Sequence, residues 1–246
     1  MTLADILQPA CALFLDFDGT MVDIAPQPSA VHVPEPLLDA LRHVQLYLGG
    51  AVAVISGRPI AQIDEFLAPL RLPVAGVHGA ERRRADGTVS LLDTHPLDRV
   101  EEVARALAAQ HSRLLIEDKR GSLALHYRMA PELEPVVLRA MQEAVDASPG
   151  LTLLRGKMVA EAKPGGASKG RAIEDFLQEL PFSGRRPVFI GDDVTDEAGF
   201  LTVQRLGGVG IKVGDGPTMA SGRLADPPAL RRELEALVAL RMTRTA

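Results

Sequence analysis

Apolar and polar positions are arranged in two different ways along this chain of 246 residues. Near the start, "ALFLDF" (residues 12–17) is an almost continuous apolar run, the pattern of a strand buried on both faces. "PEPLLDALRHVQLYLGG" follows with apolar residues at helical spacing and a Gly-Gly stop. "AVAVIS" (51–56) reads as a second buried strand, "GRPIAQIDEFLAPL" as a turn leading into a helix, and "LPVAGVHG" (72–79) as a third short strand. Strand and helix alternate, which predicts a parallel α/β sheet.

The pattern changes near residue 92. "HPLDRVEEVARALAAQ" (95–110) predicts a helix, and "SRLLIEDKRGSLALHYR" (112–128) two strands around a turn at Lys119–Gly121. "APELEPVVLRAMQEAVDAS" is another helix, and "LTLLRGKMVAEAKP" (151–164) a second hairpin turning at Arg155–Lys157. The order α-β-β-α-β-β predicts an antiparallel sheet with helices on one face. After Pro164 the alternation resumes: a helix in "SKGRAIEDFLQEL", a buried strand in "RPVFIGDD", a helix in "VTDEAGFLTVQRLGG", a strand in "VGIKVGD" and a final helix in "PPALRRELEALVAL". The expected fold class is α/β: a Rossmann-like parallel core of residues 1–91 and 164–246, interrupted by an α+β insert at residues 92–163.

Composition narrows the function. The chain is 46% hydrophobic and 24% charged, ordinary for a soluble globular protein. A net charge of −5 argues against a broad nucleic-acid surface, which calls for a basic balance. The single cysteine, Cys11, permits no disulfide within the chain and suits a reducing, cytoplasmic setting; it is expected to be buried. No stretch reaches the roughly 18 apolar residues of a membrane span. "MTLADILQPA" carries an acid where a secretory signal would be basic. The expected partner is a small molecule, with neither nucleic acid nor membrane, and the expected state is a monomer.

Open α/β sheets bind ligands beyond the carboxyl ends of their strands. Four polar clusters fall at such places: Asp16–Thr20, Ser56–Arg58, the loop at Lys169, and Gly191–Asp196. At the end of the first strand, Asp16 and Asp18 are expected to point to the same side and to repel unless a cation or a bound group holds them together. A strand-end carboxylate can coordinate Mg²⁺ or attack phosphorus. Gly19 allows a sharp turn and leaves amides open to an anion. An EF-hand is excluded because its twelfth position, counted from Asp16, is Gln27; a Walker-A loop is excluded because Lys169 precedes Gly170 without a following hydroxyl. Taken alone, Ser56 is most simply a helix cap and Lys169 a solvated lysine. The acids of "FIGDDVTDE" have no packing explanation, and helix-start acids gain only about 0.3–1 kcal/mol each. A metal site accounts for them better.

Together, "DFDGT", "ISGR", the Lys of "SKG" and "GDDVTD" resemble the motifs of the haloacid-dehalogenase-like (HAD) phosphohydrolases, in the same order. The insert between the serine and lysine motifs matches the cap of that superfamily. "DFDGTMVDIAPQP", "VISGRP", "VAGVHGAERR", "EDKRGSLALHYR", "AEAKPGGASKG" and "GDDVTDE" resemble more closely the trehalose-6-phosphate phosphatase family, with Met21 where that family more often has Leu. The resemblance implies hydrolysis of a sugar phosphate, with Asp16 as nucleophile and Asp18 as acid and then base. It implies phosphate binding by Gly19, Thr20, Ser56, Gly57 and Lys169. Mg²⁺ would be held by Asp16, the backbone carbonyl of Asp18 and Asp192, with Asp193 and Asp196 behind them. Glu117, Lys119 and Glu161 would contact the sugar, and His78 and Arg128 are further candidates. "ERRR" (81–84) is expected to be a solvated turn whose arginines attract an anionic substrate. Other readings are a phosphatase for sucrose phosphate or mannosyl-phosphoglycerate, a phosphomutase using the same aspartates, or a non-catalytic relic of the fold.

Overall fold

The computed structural model describes residues 2–25, 27, 30–92, 96–119 and 121–242. The chain divides into two units, one of residues 1–90 and 168–246, the other of residues 91–167. In the first unit, a short α1 (Leu3–Ile6) precedes β1 (Cys11–Leu15), α2 (Glu35–Tyr47), β2 (Val52–Ile55), α3 (Ile60–Leu67), β3 (Val74–Gly76), β4 (Glu81–Arg83) and β5 (Val89–Leu91). The second unit holds α4 (Asp98–Gln110), β6 (Leu115–Lys119), β7 (Ser122–His126), α5 (Glu134–Asp146), β8 (Leu151–Gly156) and β9 (Val159–Pro164). The chain returns to the first unit through α6 (Lys169–Leu177), β10 (Arg186–Gly191), α7 (Glu197–Arg205), β11 (Val209–Val213), β12 (Gly222–Leu224) and α8 (Pro227–Met242).

The larger sheet runs in the order β12-β11-β10-β1-β2-β3-β4-β5. Its continuous apolar strands occupy the centre: β1 pairs in parallel with both β10 and β2, and every residue of β1 is buried. In that register Leu15 lies beside Ile190 on one side and Val54 on the other. The residues that follow these three strands, starting at Asp16, Ser56 and Asp192, therefore emerge along one edge of the sheet. β1 ends at Leu15, one residue before the first aspartate. Beyond it the chain turns, with Phe17 carbonyl accepting from the Met21 amide at 3.0 Å. Asp16 and Asp18 thus do not share one face of a strand, contrary to the period-two expectation.

Two further expectations change. "ERRR" is no solvated turn: Glu81–Arg83 forms β4, antiparallel to β3. Arg83 is buried and donates to both carboxylate oxygens of Asp64, at 2.6 Å each, and to Leu72 carbonyl at 2.8 Å. Those hydrogen bonds draw Asp64 below its ordinary range. Arg82 pairs with Glu179 and lies 5.0 Å from the centre of the Phe176 ring. Three successive charges without apolar alternation conceal a strand whose arginines find partners distant in sequence. The expected third strand also stops early, because the backbone turns at residues 77–79 with positive φ.

The smaller sheet is antiparallel, in the order β6-β7-β9-β8. Leu123, Leu125, Ala160 and Ala162 of its strands join Val100 and Ala104 of α4 and Val137, Met141 and Val145 of α5 in one apolar core. The β8–β9 turn falls at Lys157–Met158, later than the expected Arg155–Lys157, since Gly156 still pairs with Val159. Residues 93–95 and Arg120, which the sequence reading assigned in part to the start of α4 and to the first hairpin turn, lie outside the described residues.

Beneath β1, Phe14, Phe176 and Phe182 pack with ring centres 5.1–6.1 Å apart. Phe176 is the apolar anchor of α6, the helix that begins with Lys169. Phe176→Ala is expected to destabilise the protein by about 3–5 kcal/mol, the range for truncating a buried aromatic. Chemical denaturation of both proteins measures the difference; a loss under 1 kcal/mol would contradict this anchoring.

Candidate active site

Lys169 is the centre of the cluster. It starts α6 behind the N-cap Ser168, whose hydroxyl accepts from the Arg171 amide at 3.1 Å. The side chain is buried, and its Nζ donates to Asp16 Oδ1 at 2.7 Å and Asp196 Oδ1 at 2.6 Å. Burial disfavours the ammonium, but the charges of Asp16 and Asp196 outweigh it and drive Lys169 further above its ordinary range. The other oxygen of Asp196 accepts the amides of Asp192 and Asp193, at 2.9 Å each. That network fixes the turn after β10. Asp193 accepts from the Val194 amide at 2.7 Å and caps the same turn. It serves the local backbone and makes no bond to Lys169 among those described.

Asp16, Asp192 and Asp196 each present a carboxylate oxygen within 4.8 Å of the others, the metal-competent acidic group found among the described residues. Burial pushes Asp16 upward; Lys169 opposes this, while Asp196 and Asp192 add to it. Burial, reinforced by Asp196, raises Asp192 to about 6. Three hard oxygen donors beside one ammonium leave excess negative charge, which suits a small divalent cation. Gly19 makes the approach possible. Its φ is +76°, and a Cβ there would lie 2.3 Å from Asp192 Oδ2. Thr20, expected on phosphate, donates to Asp16 Oδ2 at 3.0 Å.

Asp18 faces another way. Arg58 Nε donates to its Oδ2 at 2.6 Å and Arg58 Nη2 to its Oδ1 at 2.7 Å. The guanidinium lies 5.7 Å and 5.0 Å from the ring centres of Phe17 and Phe66, a stacked cation on an aromatic floor. The expected mutual repulsion of Asp16 and Asp18 is thus relieved by two separate side chains of the protein. Arg58 had no assigned role in the sequence reading; its place directly after "ISG" marked a cation at a strand end without showing its partner. Lys212 was missed entirely. It is buried at the end of β11 and donates to the Asp192 carbonyl, and its signal was a lone cation in the apolar run "VGIKV".

Ser56 follows β2 and is buried, its hydroxyl accepting from the Arg58 amide at 3.1 Å. Gly57 lies beneath the ring of His78, where a Cβ would come 2.7 Å from two ring atoms. In the second unit, the register places Glu117 beside Ala124 and Ala124 beside Glu161, so the two glutamates share one face, away from the helices. Glu117 bonds His126 at 2.9 Å, and buried Glu161 accepts from Ser122 at 2.8 Å. Burial lowers Lys163 on that face despite nearby Glu161. Lys119 ends β6 on the same face by register, but its side chain lies outside the described residues. Arg128 lies beyond β7 and is exposed.

The trehalose-phosphatase family model matches residues 14–227. The chain is 44% identical over 231 residues to the trehalose-6-phosphate phosphatase of Escherichia coli, covering 91% of this chain and 85% of that one. It is also 44% identical over 234 residues to a probable trehalose-phosphate phosphatase of Sinorhizobium fredii, covering 93% and 88%. Among solved structures, a trehalose-6-phosphate phosphatase related protein superposes with a TM-score of 0.76 at 26% identity, covering 95% of this chain and 99% of that one. The C-terminal domain of C. albicans trehalose-6-phosphate phosphatase has the same fold, with a TM-score of 0.83 at 20% identity and coverage of 94% and 92%.

The acidic cluster predicts a pH-dependent response to cations. Asp192 is raised from 3.8 to about 6, so the cation-free folded state binds more protons than the unfolded state between these values. Its stabilising contribution is present at low pH and is lost as pH rises through about 6. A divalent cation offsets that loss only where the carboxylates are ionised. Mg²⁺ added to chelator-treated protein is expected to raise Tm more at pH 7.5 than at pH 5. Equal increments in thermal melts at both pH values would contradict the assignment.

Proposed function

The chain belongs to the trehalose-phosphatase family, and from that premise we propose that it hydrolyses trehalose 6-phosphate to trehalose and phosphate, a step of trehalose biosynthesis. The carrying observation is the Lys169 ammonium held against Asp16 at 2.7 Å and Asp196 at 2.6 Å, at the sheet edge where Ser56 and Asp192 also emerge. An ammonium and a carboxylate at hydrogen-bond distance suit an electrophile that carries negative oxygens.

In this reading an oxygen of Asp16 attacks phosphorus, and the bond from phosphorus to the sugar oxygen breaks. Thr20 and Lys169 hold the two Asp16 oxygens and fix the orientation of the carboxylate. Asp18, held by Arg58 through both oxygens in the resting site, leaves that pair and takes up a proton as substrate binds, then gives that proton to the departing oxygen. It then takes a proton from water, whose oxygen attacks the same phosphorus and releases Asp16. Arg58 receives Asp18 again when the step is complete, through both oxygens as in the resting site. Lys169, the Ser56 hydroxyl and the Gly57 backbone receive the phosphoryl oxygens; the Gly19 amide, expected there too, donates to the Val22 carbonyl at 2.8 Å. We assign Mg²⁺ as the cation, with Asp16, Asp192 and the carbonyl of Asp18 to hold it; Asp196 keeps Lys169 and the β10 turn in place. When bound, Mg²⁺ supplies positive charge to the reacting phosphoryl group.

Residues 1–91 and 164–246 carry this chemistry as the phosphatase core, and residues 92–163 select the sugar. Glu117 and Glu161 support that division, since both carboxylates stand on the helix-free face of the small sheet. Lys119 belongs to the same set, with His78 and Arg128 as lesser candidates. We place the protein in the cytoplasm as a monomer; buried Cys11 is consistent with a reducing compartment.

Phosphate release with Mg²⁺ is expected to be much faster from trehalose 6-phosphate than from glucose 6-phosphate, and equal rates would refute the disaccharide assignment. Asp16→Asn is expected to lower turnover by roughly 10³-fold or more with an unchanged circular dichroism spectrum. Glu161→Gln is expected to raise KM for trehalose 6-phosphate about tenfold while leaving p-nitrophenyl phosphate hydrolysis near wild type. Parallel losses on both substrates would remove Glu161 from sugar recognition.

A further inference from the structure

The segment Val77–Glu81 is a strained piece of backbone that no step above uses directly. Val77, His78 and Gly79 all have positive φ, at 48°, 54° and 100°. Val77 is a buried β-branched residue, for which this region is strongly disfavoured. Such strain persists only where surrounding structure imposes it, and it is a reason to ask what the segment holds.

It holds the Ser56 loop. The Ser56 amide donates to Ala75 carbonyl at 2.8 Å, His78 amide to Ser56 carbonyl at 2.9 Å, and Val77 amide to Arg58 carbonyl at 3.1 Å. The His78 ring covers Gly57. The loop ends at Pro59, the N-cap of α3, and proline has no side-chain acceptor for the open amides of the first turn. Glu81 reaches across from β4 and accepts the Ile60 amide at 2.5 Å. Gly76 leaves room for this crossing: a Cβ there would lie 2.7 Å from Glu81 Oε1, 2.8 Å from Arg58 carbonyl and 2.9 Å from the Ile60 nitrogen.

We propose that residues 77–81 form a cradle that sets the Ser56–Arg58 loop for phosphoryl binding, with Glu81 as a positioning residue acting through Ser56. This rests on the reading of Ser56 as a phosphoryl ligand. The Ser56 oxygen already accepts the Arg58 amide, so its own hydrogen is the part left to donate to an anion. The loop backbone decides where that hydrogen points. Glu81 fixes the end of the loop that the cradle amides do not reach. His78, on this view, acts by packing on Gly57.

The test compares inorganic phosphate as a competitive inhibitor of the full-length, Mg²⁺-loaded enzyme across Ser56→Ala, Glu81→Asp, Glu81→Gln and Ser56→Ala/Glu81→Asp. Asp keeps the charge but withdraws the carboxylate from Ile60, whereas Gln keeps an acceptor at the same reach. Glu81→Asp is expected to weaken phosphate about tenfold, the scale of one charge-assisted hydrogen bond, and Glu81→Gln to stay within about threefold of wild type. The double variant is expected to bind phosphate no worse than Ser56→Ala alone, because Glu81 acts through that hydroxyl. If Ser56→Ala leaves phosphate inhibition unchanged, the assignment of Ser56 falls and the cradle inference falls with it. If Ser56→Ala weakens inhibition but Glu81→Asp does not, or the two losses multiply, the cradle inference alone is overturned.

Discussion

One buried ammonium makes the rest of the site possible. Lys169 sits between Asp16 and Asp196, both nearly inaccessible to water. Taking a carboxylate from water into the end of a packed sheet is costly unless a partner and hydrogen bonds meet it there. Lys169 is that partner for two acids at once. It can stand there because α6 is pinned by Phe176 against Phe14, on the strand that delivers Asp16. Core packing and site electrostatics are thus one arrangement.

Around that ammonium, several acids have a neutraliser of their own. Asp18 belongs to Arg58, and Asp64 to Arg83. The second oxygen of Asp196 belongs to two backbone amides. Asp192 is half-buried beside Asp16 and Asp196, its carboxyl raised to about 6, and the missing side chain of Gly19 lets it come close. The place where three carboxylates converge is the place where a cation fits.

The inserted unit follows a different rule. Its sheet uses one face for packing, with Leu123, Leu125, Ala160 and Ala162 against two helices. The other face collects Glu117, Ser122, His126, Glu161 and Lys163. Period-two alternation within each strand separates these sets, and register then brings polar residues of different strands into one row. A recognition surface needs only side-chain changes on that second face, which leaves the packing face untouched.

Much of this was legible in the linear chain because it is local. Continuous apolar runs at 12–15, 51–55 and 187–190, alternating with helical patterns, read as central parallel strands, and their polar endings mark one edge of the sheet. The α-β-β-α-β-β pattern likewise follows from spacing, as does the shared phase of Glu117 and Lys119. What depends on partners distant in sequence was not legible. No local pattern shows that Asp18 meets Arg58, that Thr20 serves Asp16, or that the charges of Glu81–Arg83 form a strand paired to β3. Those outcomes are set by the register of β1 against β2 and β10, by the turn after Leu15, and by glycines small enough to let opposing groups close. Sequence periodicity encodes which face a residue takes, but a salt bridge is chosen in three dimensions, where burial raises the cost of every unpaired charge.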